Sequence, residues 1–327
     1  MLNDYTIGDS KELLKEVKSN TVDLIYIDPP YCTGRDFYHF DDKFTSSADY
    51  RENLMRPLLV ECHRILSDKG NIVVHVEPKI SHHIRIVLDE IFGEKRFKNE
   101  IVWISGGNHK SLKQLQRNHD TIIVYQKGTN SIYNPEHKDY DDEVVEKAKI
   151  CPYRKKKYVT TALVNRQPNV VQRPNLRYEW NGHILQWHIS KERMQMLHDD
   201  NRLEYSSKSG IPRVKKYFDE LEGIPVKDVW FDIKQIQGVE KLDYATQKPV
   251  ALLNRILKMF SDEQSIVLDP CAGSGTVGRS AILTNRNYIL FDLNPDGKAL
   301  FDKSIQNLVP VEEVDQGAPN PLLDALY

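Results

Sequence analysis

The sequence predicts an α/β fold: a doubly wound, mostly parallel, Rossmann-like sheet interrupted by an inserted module. Three observations carry that expectation. Apolar stretches of strand length alternate with helical patterns over the first 126 residues, the alternation returns near the C-terminus after a long interruption, and two of the strands run into turns rich in Asp, Pro and Gly. A chain of 327 residues with 40% apolar side chains has enough material for about two domains and a sizeable core.

The strands come in order as Val22–Ile27, Asn71–His75, Ile101–Ile104 and Thr121–Tyr125. Their near-continuous apolar character fits a parallel sheet covered on both faces. Between the first two, residues from Tyr50 to Leu66 place Leu54, Leu58, Leu59, Cys62 and Leu66 three and four apart, which predicts a helix with one buried face. Between the second and third, Ile80 to Phe92 repeats the pattern with Ile84, Val87, Leu88 and Ile91. The second block supplies a strand at Ser265–Leu268, a glycine turn, a helix from about Val277 and a strand at Tyr288–Phe291. One α/β domain is thereby split into blocks 1–126 and 246–308, around an insert at 127–245 and before an acidic tail at 309–327.

The insert differs in charge. From Cys151 to Lys216 there are fourteen basic residues against five acids, so a near-neutral chain of 45 Lys/Arg and 47 Asp/Glu hides a basic segment. Interleaved Tyr153, Tyr158, Tyr178, Trp180 and Trp187 make that segment a candidate nucleic-acid surface, with aromatic rings for bases and cations for phosphates. A single run such as Lys155–Lys157, taken by itself, is more commonly a solvated face. Cys32, Cys62, Cys151 and Cys271 have no CxxC spacing, and His39, His75, His82, His83, His109 and His119 show no ligand spacing, so neither a disulfide scaffold nor a metal site is expected. The polar N-terminus and the lack of any apolar run near 18 residues predict a cytoplasmic protein without a membrane anchor.

Two turns carry the chemistry. Asp28-Pro29-Pro30-Tyr31 follows the first strand, at the carboxyl edge where open α/β folds bind ligands. Prolines lack N–H groups and fix the turn, so it presents a carboxylate and carbonyl oxygens beside an aromatic ring. Such a pocket suits a planar ring bearing an exocyclic amine, with Asp28 and the Pro29 carbonyl accepting its two N–H bonds and Tyr31 covering its face. The second turn, Asp269-Pro270-Cys271-Ala272-Gly273-Ser274-Gly275-Thr276-Val277-Gly278, holds a G-x-G-x-x-G pattern, and Asp292 follows at the end of the next strand as a candidate for ribose hydroxyls. A nicotinamide dinucleotide would fit the glycines alone. Asp269 directly before them favours a cationic ligand over a pyrophosphate, and S-adenosyl-L-methionine carries both an ammonium and a sulfonium.

These residues resemble the β-type, permuted amino-group DNA methyltransferases, as found in modification subunits of type III restriction systems and related solitary adenine-N6 enzymes. Asp28 to Phe37 is similar to the family's D-P-P-Y-N-T-G-x-D-F, Thr246-Gln247-Lys248-Pro249 to its T-x-K-P, and Trp187 to Lys191 with Asp228 to Trp230 to its W-x-x-S-K and D-x-W signatures. The resemblance implies that Asp28, Pro29, Pro30 and Tyr31 hold the target amine. It also implies that Asp269, Cys271, Ala272, Gly273, Ser274, Gly275 and Thr276 surround the methionine part of S-adenosyl-L-methionine, Asp292 the ribose, Lys248 the cofactor carboxylate and Asp9 the adenine. Cys32 stands where the family has Asn, and Cys271 where it commonly has Phe. The implied partners are double-stranded DNA, a second copy of the chain and a restriction subunit; the insert would recognise the target sequence. The expected reaction is methylation of adenine N6 on a flipped base. Cytosine N4 methylation and a non-catalytic specificity subunit are the alternatives.

Overall fold

The computed structural model describes residues 2–30, 36–37, 40–41, 44, 46–106, 115–164, 174–236 and 240–306. Tyr31, Cys32 and the tail 309–327 lie outside the described residues. By compactness the chain divides into a first unit, 1–136 with 226–312, and a second containing 137–225. The second is narrower than the insert expected at 127–245, because 127–136 and 226–245 pack with the first: Asn134 donates to the carbonyls of Lys258 and Ser261, and Trp230 is a buried strand residue.

The first unit contains strands β1 (Asp4–Ile7), β2 (Val22–Ile27), β3 (Leu66–Val76), β4 (Phe97–Trp103), β5 (Asp120–Gln126), β6 (Val229–Trp230), β7 (Ile266–Asp269) and β8 (Asn287–Asp292). They form one sheet in the order β1-β8-β7-β2-β3-β5-β4-β6. All pairings are parallel except those of β5, which runs antiparallel to both its neighbours. Strand β1 was not anticipated from the sequence; four residues with one buried side chain give too little periodicity. Helices α1 (Ser10–Glu16), α2 (Arg56–Ile65) and α3 (Pro78–Phe92) cover one face; α4 (Val250–Phe260), α5 (Thr276–Leu283) and α6 (Pro295–Ile305) cover the other.

The two-residue alternation of a strand decides which side chain enters which layer. On β2, Ile25 and Ile27 join the core with Leu58, Leu59, Ile84 and Leu88, while Leu24 and Tyr26 join Leu253, Ile256 and Val277 on the opposite side. Helix α1 starts at Asp9, whose carboxylate accepts from the Lys11 N–H at 2.9 Å and satisfies an otherwise orphaned donor. Helix α3 begins with Pro78 at its first turn, where a missing N–H costs nothing, and buries Ile80, Ile84, Val87 and Leu88 as the spacing predicts. The chain leaves β2 toward β3 and leaves β7 in the other direction, toward β8. These adjacent strands are the topological switch point, and the crevice beyond their carboxyl ends is where doubly wound sheets bind ligands.

The second unit has an antiparallel sheet of Leu203–Tyr205, Pro212–Tyr217, Lys157–Ala162 and Lys149–Ile150, a hairpin of Arg177–Trp180 with His183–Gln186, and a helix at Lys191–Asp199. Its core is Leu163, Trp187, Ile189, Met194, Leu197, Leu203 and Val214, with Tyr178 and Trp180 packed against it. Four of the five aromatics expected to stack on bases therefore do something else. Trp187 and Tyr158 are buried, Tyr178 and Trp180 are half-buried, and only Tyr153 is open to solvent. Much of the positive charge is used internally as well. Arg202 is fully buried in a two-pronged pair with Glu220 at 2.7 Å, Arg154 pairs with Asp200, and Lys156 pairs with Asp219. Counted over 137–225, seventeen basic residues face thirteen acids, because the acids at 139–146 and 219–222 lie just outside the window that looked so basic.

Candidate active site

At the switch point lies a cavity of about 270 Å³. Two strand ends that are 241 residues apart in sequence meet there, because β2 and β7 pair directly, Leu24 opposite Val267 and Ile25 opposite Leu268. Asp28, Pro29 and Pro30 line it from the β2 side, and Asp269, Cys271, Ala272, Gly273, Ser274 and Thr276 from the β7 side. Asp9, Lys248 and Asp292 complete the set of sequence-derived residues in its wall, with two exceptions: Gly275 does not line the cavity, and Tyr31 lies outside the described residues.

The glycine turn is built from hydrogen bonds of the backbone. The Asp292 carboxylate accepts from the Gly273 N–H at 2.7 Å and the Asn294 N–H at 2.8 Å, so it orients the loop as well as facing the cavity. The Tyr5 hydroxyl donates to the Gly273 carbonyl at 2.6 Å. The Ala272 N–H donates to the Phe291 carbonyl at 2.9 Å, which ties the turn to β8. Gly273 and Gly275 have φ of +52° and +74°, a left-handed backbone that side-chain-bearing residues rarely adopt. A methyl group on Gly275 would sit 2.4 Å from the Phe301 ring on α6, so this glycine is required by helix packing and not by approach of a ligand. Gly297, at the start of α6, is equally constrained: a Cβ there would lie 2.0 Å from the Gly273 carbonyl.

The electrostatics are acidic at the base and cationic at one point. Asp269 is 2% exposed and its Oδ1 accepts from the Cys271 N–H at 2.9 Å. Burial pushes its carboxyl well above the ordinary carboxylate range, and Asp28 and Asp292 push it in the same direction. Burial also raises the Cys271 thiol, which stays protonated and serves as a small apolar wall group. Lys248 lines the same cavity and is ion-paired with Asp28. Gln247 shapes the segment that delivers it, accepting from the Leu242 N–H at 2.7 Å and donating to the Glu240 carbonyl at 3.1 Å. Asp9 is engaged in capping α1 and is exposed. Tyr26, Leu54, Leu58, Tyr244 and Leu293 also line the cavity and were not singled out from the sequence. The strand alternation that places Tyr26 two residues before Asp28, on the same face, could have found the first. Among the described residues, no group of three or more His, Cys, Asp and Glu could hold a metal ion, and no helix is long and apolar enough to cross a membrane.

A doubly wound sheet, a glycine turn under a buried acid and a rigid Asp-Pro-Pro turn in the same crevice define a class: an α/β protein with an acidic crevice at its topological switch point. The particular family follows from comparison, for residues 22–302 match the DNA methylase family and the chain belongs to it. It is 30% identical to the type II methyltransferase M.EcaI of Enterobacter cloacae, over 89% of this chain and 66% of that one. It is 25% identical to the StyLTI Mod subunit, a type III restriction-modification protein of Salmonella typhimurium, over 96% of this chain and 55% of that one. The DNA adenine methyltransferase YhdJ of Escherichia coli is 26% identical over 88% of this chain and 78% of its own. The chain thus spans about two thirds or less of the first two relatives. In fold, it is similar to a DNA modification methylase of Thermus thermophilus complexed with S-adenosyl-L-methionine, with a TM-score of 0.50, 16% identity and coverage of 95% and 99%.

Proposed function

We propose that this protein is an S-adenosyl-L-methionine-dependent DNA methyltransferase acting on the N6 amine of a flipped adenine. The observation that carries the proposal is the meeting of Asp28 and Asp269, from adjacent strand ends, in one cavity. The residues fit the cofactor. Asp28, Asp269 and Asp292 make a wall that a pyrophosphate would find less favourable than a sulfonium or ammonium, and because burial raises the Asp269 carboxyl, an arriving cation favours its ionisation. Asp269, the turn from Cys271 to Thr276 and Asp292 would hold it. When bound, S-adenosyl-L-methionine supplies a methyl carbon made electrophilic by its sulfonium.

The protein's own residues prepare the amine. An exocyclic amine conjugated to a base ring is a poor nucleophile; Asp28 and the Pro29 carbonyl accept its two N–H bonds, shift the nitrogen toward sp3 and free its lone pair. A carboxylate is too weak to deprotonate a neutral aryl amine, but once methylated the nitrogen is acidic and its proton passes readily to Asp28. Hydrogen bonding and fixed geometry supply most of the rate. Lys248 holds Asp28 in place, and an ammonium with three donors can serve the cofactor carboxylate as well. The base must leave the duplex to reach the cavity, at a cost of a few kcal/mol, and Tyr31 is the proposed stacking surface.

Adenine is favoured over cytosine by the Asp-first form of the Asp28-Pro29-Pro30-Tyr31 motif, which in the resembling family leans toward adenine where a Ser-first form leans toward cytosine, and by likeness to a relative named as an adenine methyltransferase. The unit at 137–225 is proposed to recognise the target sequence, and likeness to a Mod subunit extends the proposal to a restriction subunit as partner. Incubation with methyl-labelled S-adenosyl-L-methionine and mixed-sequence DNA, followed by nucleoside mass spectrometry, should yield N6-methyladenine. Label found only in N4-methylcytosine would overturn the choice of base and keep the chemistry; no methylated base in DNA or RNA would favour a non-catalytic specificity subunit.

A further inference from the structure

Two tyrosines meet at Gly273. Tyr5 donates to its carbonyl, whereas Tyr244 lies against its Cα: a Cβ built on Gly273 would stand 3.1 Å from Tyr244 Cε1, 3.3 Å from its Oη and 3.4 Å from its Cζ. The residue at 273 thus lacks a side chain for two reasons, a φ of +52° and the closeness of this ring. Of the two tyrosines, Tyr244 is the one that lines the cavity, where it is 6% exposed. The other aromatic residue described in the wall, Tyr26, belongs to the apolar layer with Leu253 and Val277.

The segment that carries Tyr244 is held at several points. Its N–H donates to the Leu242 carbonyl at 2.8 Å, Gln247 ties Leu242 to Glu240, and Glu240 Oε1 accepts from the Val250 N–H at 2.7 Å where α4 begins. Four residues after Tyr244, Lys248 is paired with Asp28. The ring is therefore placed before a ligand arrives, and binding does not have to order it. Burial pushes the Tyr244 hydroxyl well above its ordinary range, and Asp292, Asp28, Cys271 and Asp269 push it the same way. The hydroxyl keeps its proton and the ring stays neutral, among the acids that would hold a cofactor cation.

A sulfonium carries a charge but no N–H or O–H to donate. What attracts such a group is negative charge or the face of an aromatic ring, as with quaternary ammonium ligands. Methyl transfer leaves the electron pair of the broken C–S bond on sulfur and turns the sulfonium into the neutral thioether of S-adenosyl-L-homocysteine. The ammonium survives, and through it the acids hold cofactor and product alike. A ring near the sulfur separates the two.

We propose that Tyr244 is a specificity-determining residue whose ring favours the sulfonium of the cofactor over the thioether of the product. The inference rests on the methyltransferase reading and deepens it, for the loss of the cation at the ring promotes product release. Because the ring does not titrate, its contribution is the same at every working pH, unlike that of Asp269.

Calorimetry of S-adenosyl-L-methionine and S-adenosyl-L-homocysteine binding to the full chain gives the ratio of the two dissociation constants without any turnover. Tyr244→Phe keeps the ring and should hold that ratio within about twofold of wild type, while Tyr244→Leu should lower the preference for the sulfonium about tenfold, equally at pH 5.5 and pH 7.5. Phenylalanines with increasing numbers of ring fluorines, introduced at position 244, withdraw charge from the ring face at nearly constant shape. They should erode the preference step by step, and they decide the matter if Tyr244→Leu does not fold. A preference unchanged along the fluorinated series or in Tyr244→Leu would sink the inference and leave the cofactor site standing. Equal losses in Tyr244→Phe and Tyr244→Leu would overturn it too, by assigning the discrimination to the hydroxyl. Wild-type protein that binds neither molecule would remove the methyltransferase reading as well.

Discussion

Replacing Asp269 by Asn tests the idea that the cavity is tuned for a cation. Asn keeps an oxygen to accept the Cys271 N–H bond, so the turn should survive and only the titratable proton is lost. In the cofactor-free protein Asp269 has its carboxyl raised, chiefly by burial and then by Asp28 and Asp292. Between the ordinary carboxylate range and that raised value the folded state binds more protons at this site than the unfolded state. Stability therefore falls as pH rises through that window, by up to about 1.4 kcal/mol per pH unit, and levels off above it. Asp269→Asn should abolish that slope and melt higher than wild type at neutral pH without cofactor. Binding has the opposite sign. A cationic ligand favours the carboxylate, one proton leaves as it binds, and the wild-type affinity should rise by up to about tenfold per pH unit below the raised value. Calorimetry of S-adenosyl-L-methionine binding from pH 5.5 to 7.5 measures this, and the ratio of wild-type to variant affinities removes the ligand's own titration. Parallel pH profiles for the two proteins would refute the reasoning, as would tighter binding by the Asn variant at high pH.

The remaining expectations address separate parts of the molecule. Asp28→Ala should abolish methyl transfer with cofactor affinity nearly intact; turnover within about tenfold of wild type would remove Asp28 from the amine. Gly275→Val combines a left-handed backbone with a 2.4 Å contact on Phe301, so a loss of about 2–5 kcal/mol by denaturant unfolding, with loss of cofactor binding, is expected. Gly297→Ala should lower cofactor affinity from outside the cavity, since its methyl group would press on the Gly273 carbonyl; unchanged calorimetric affinity and Tm would contradict that packing. If the second unit binds DNA, changing Lys155, Lys156 and Lys157 to Glu should flatten the logarithmic salt dependence of binding. Because Lys156 is already paired with Asp219, the expected change is about two phosphate contacts, or a slope reduction of about 1.8, and an unaltered slope would return the run to a solvated face.

The parts of this molecule that could be read from its sequence are those where one local pattern has one physical cause. Helix α3 follows from apolar spacing and a proline at its start, and the two turns at Asp28 and Asp269 follow from strands that end in residues unable to continue a sheet. What the spacing could not reveal is pairing across long separations. That β5 runs antiparallel to β3 and β4 depends on a connection through 104–119, and no periodicity within β5 itself encodes direction. The charge of the insert was over-read for a related reason: charge counted along a window takes no account of acids such as Asp219 and Glu220 that fold back onto Lys156 and Arg202, nor of aromatics such as Trp187 that the unit needs for its own core.

The same limit applies at the site. Gly275 sits in a pattern associated with ligands and also packs against Phe301; Lys248 sits in a motif read as cofactor-facing, lines the cavity and also meets Asp28. His75, set aside for want of ligand spacing, links Tyr26 to Asp120 through bonds that span three strands. A motif fixes which chemistry a turn can offer. Which of its groups face the ligand, and which are occupied in holding those groups still, is decided by partners that only the fold brings near. In this crevice several groups do the holding, some while lining the cavity themselves: Tyr5 and Asp292 hold the Gly273 peptide, Cys271 holds Asp269 through its N–H, Lys248 holds Asp28, and His75 meets Tyr26. In the proposed reaction, preorganisation of that kind is what would let a carboxylate and a carbonyl, both weak as bases, activate an amine that neither could deprotonate.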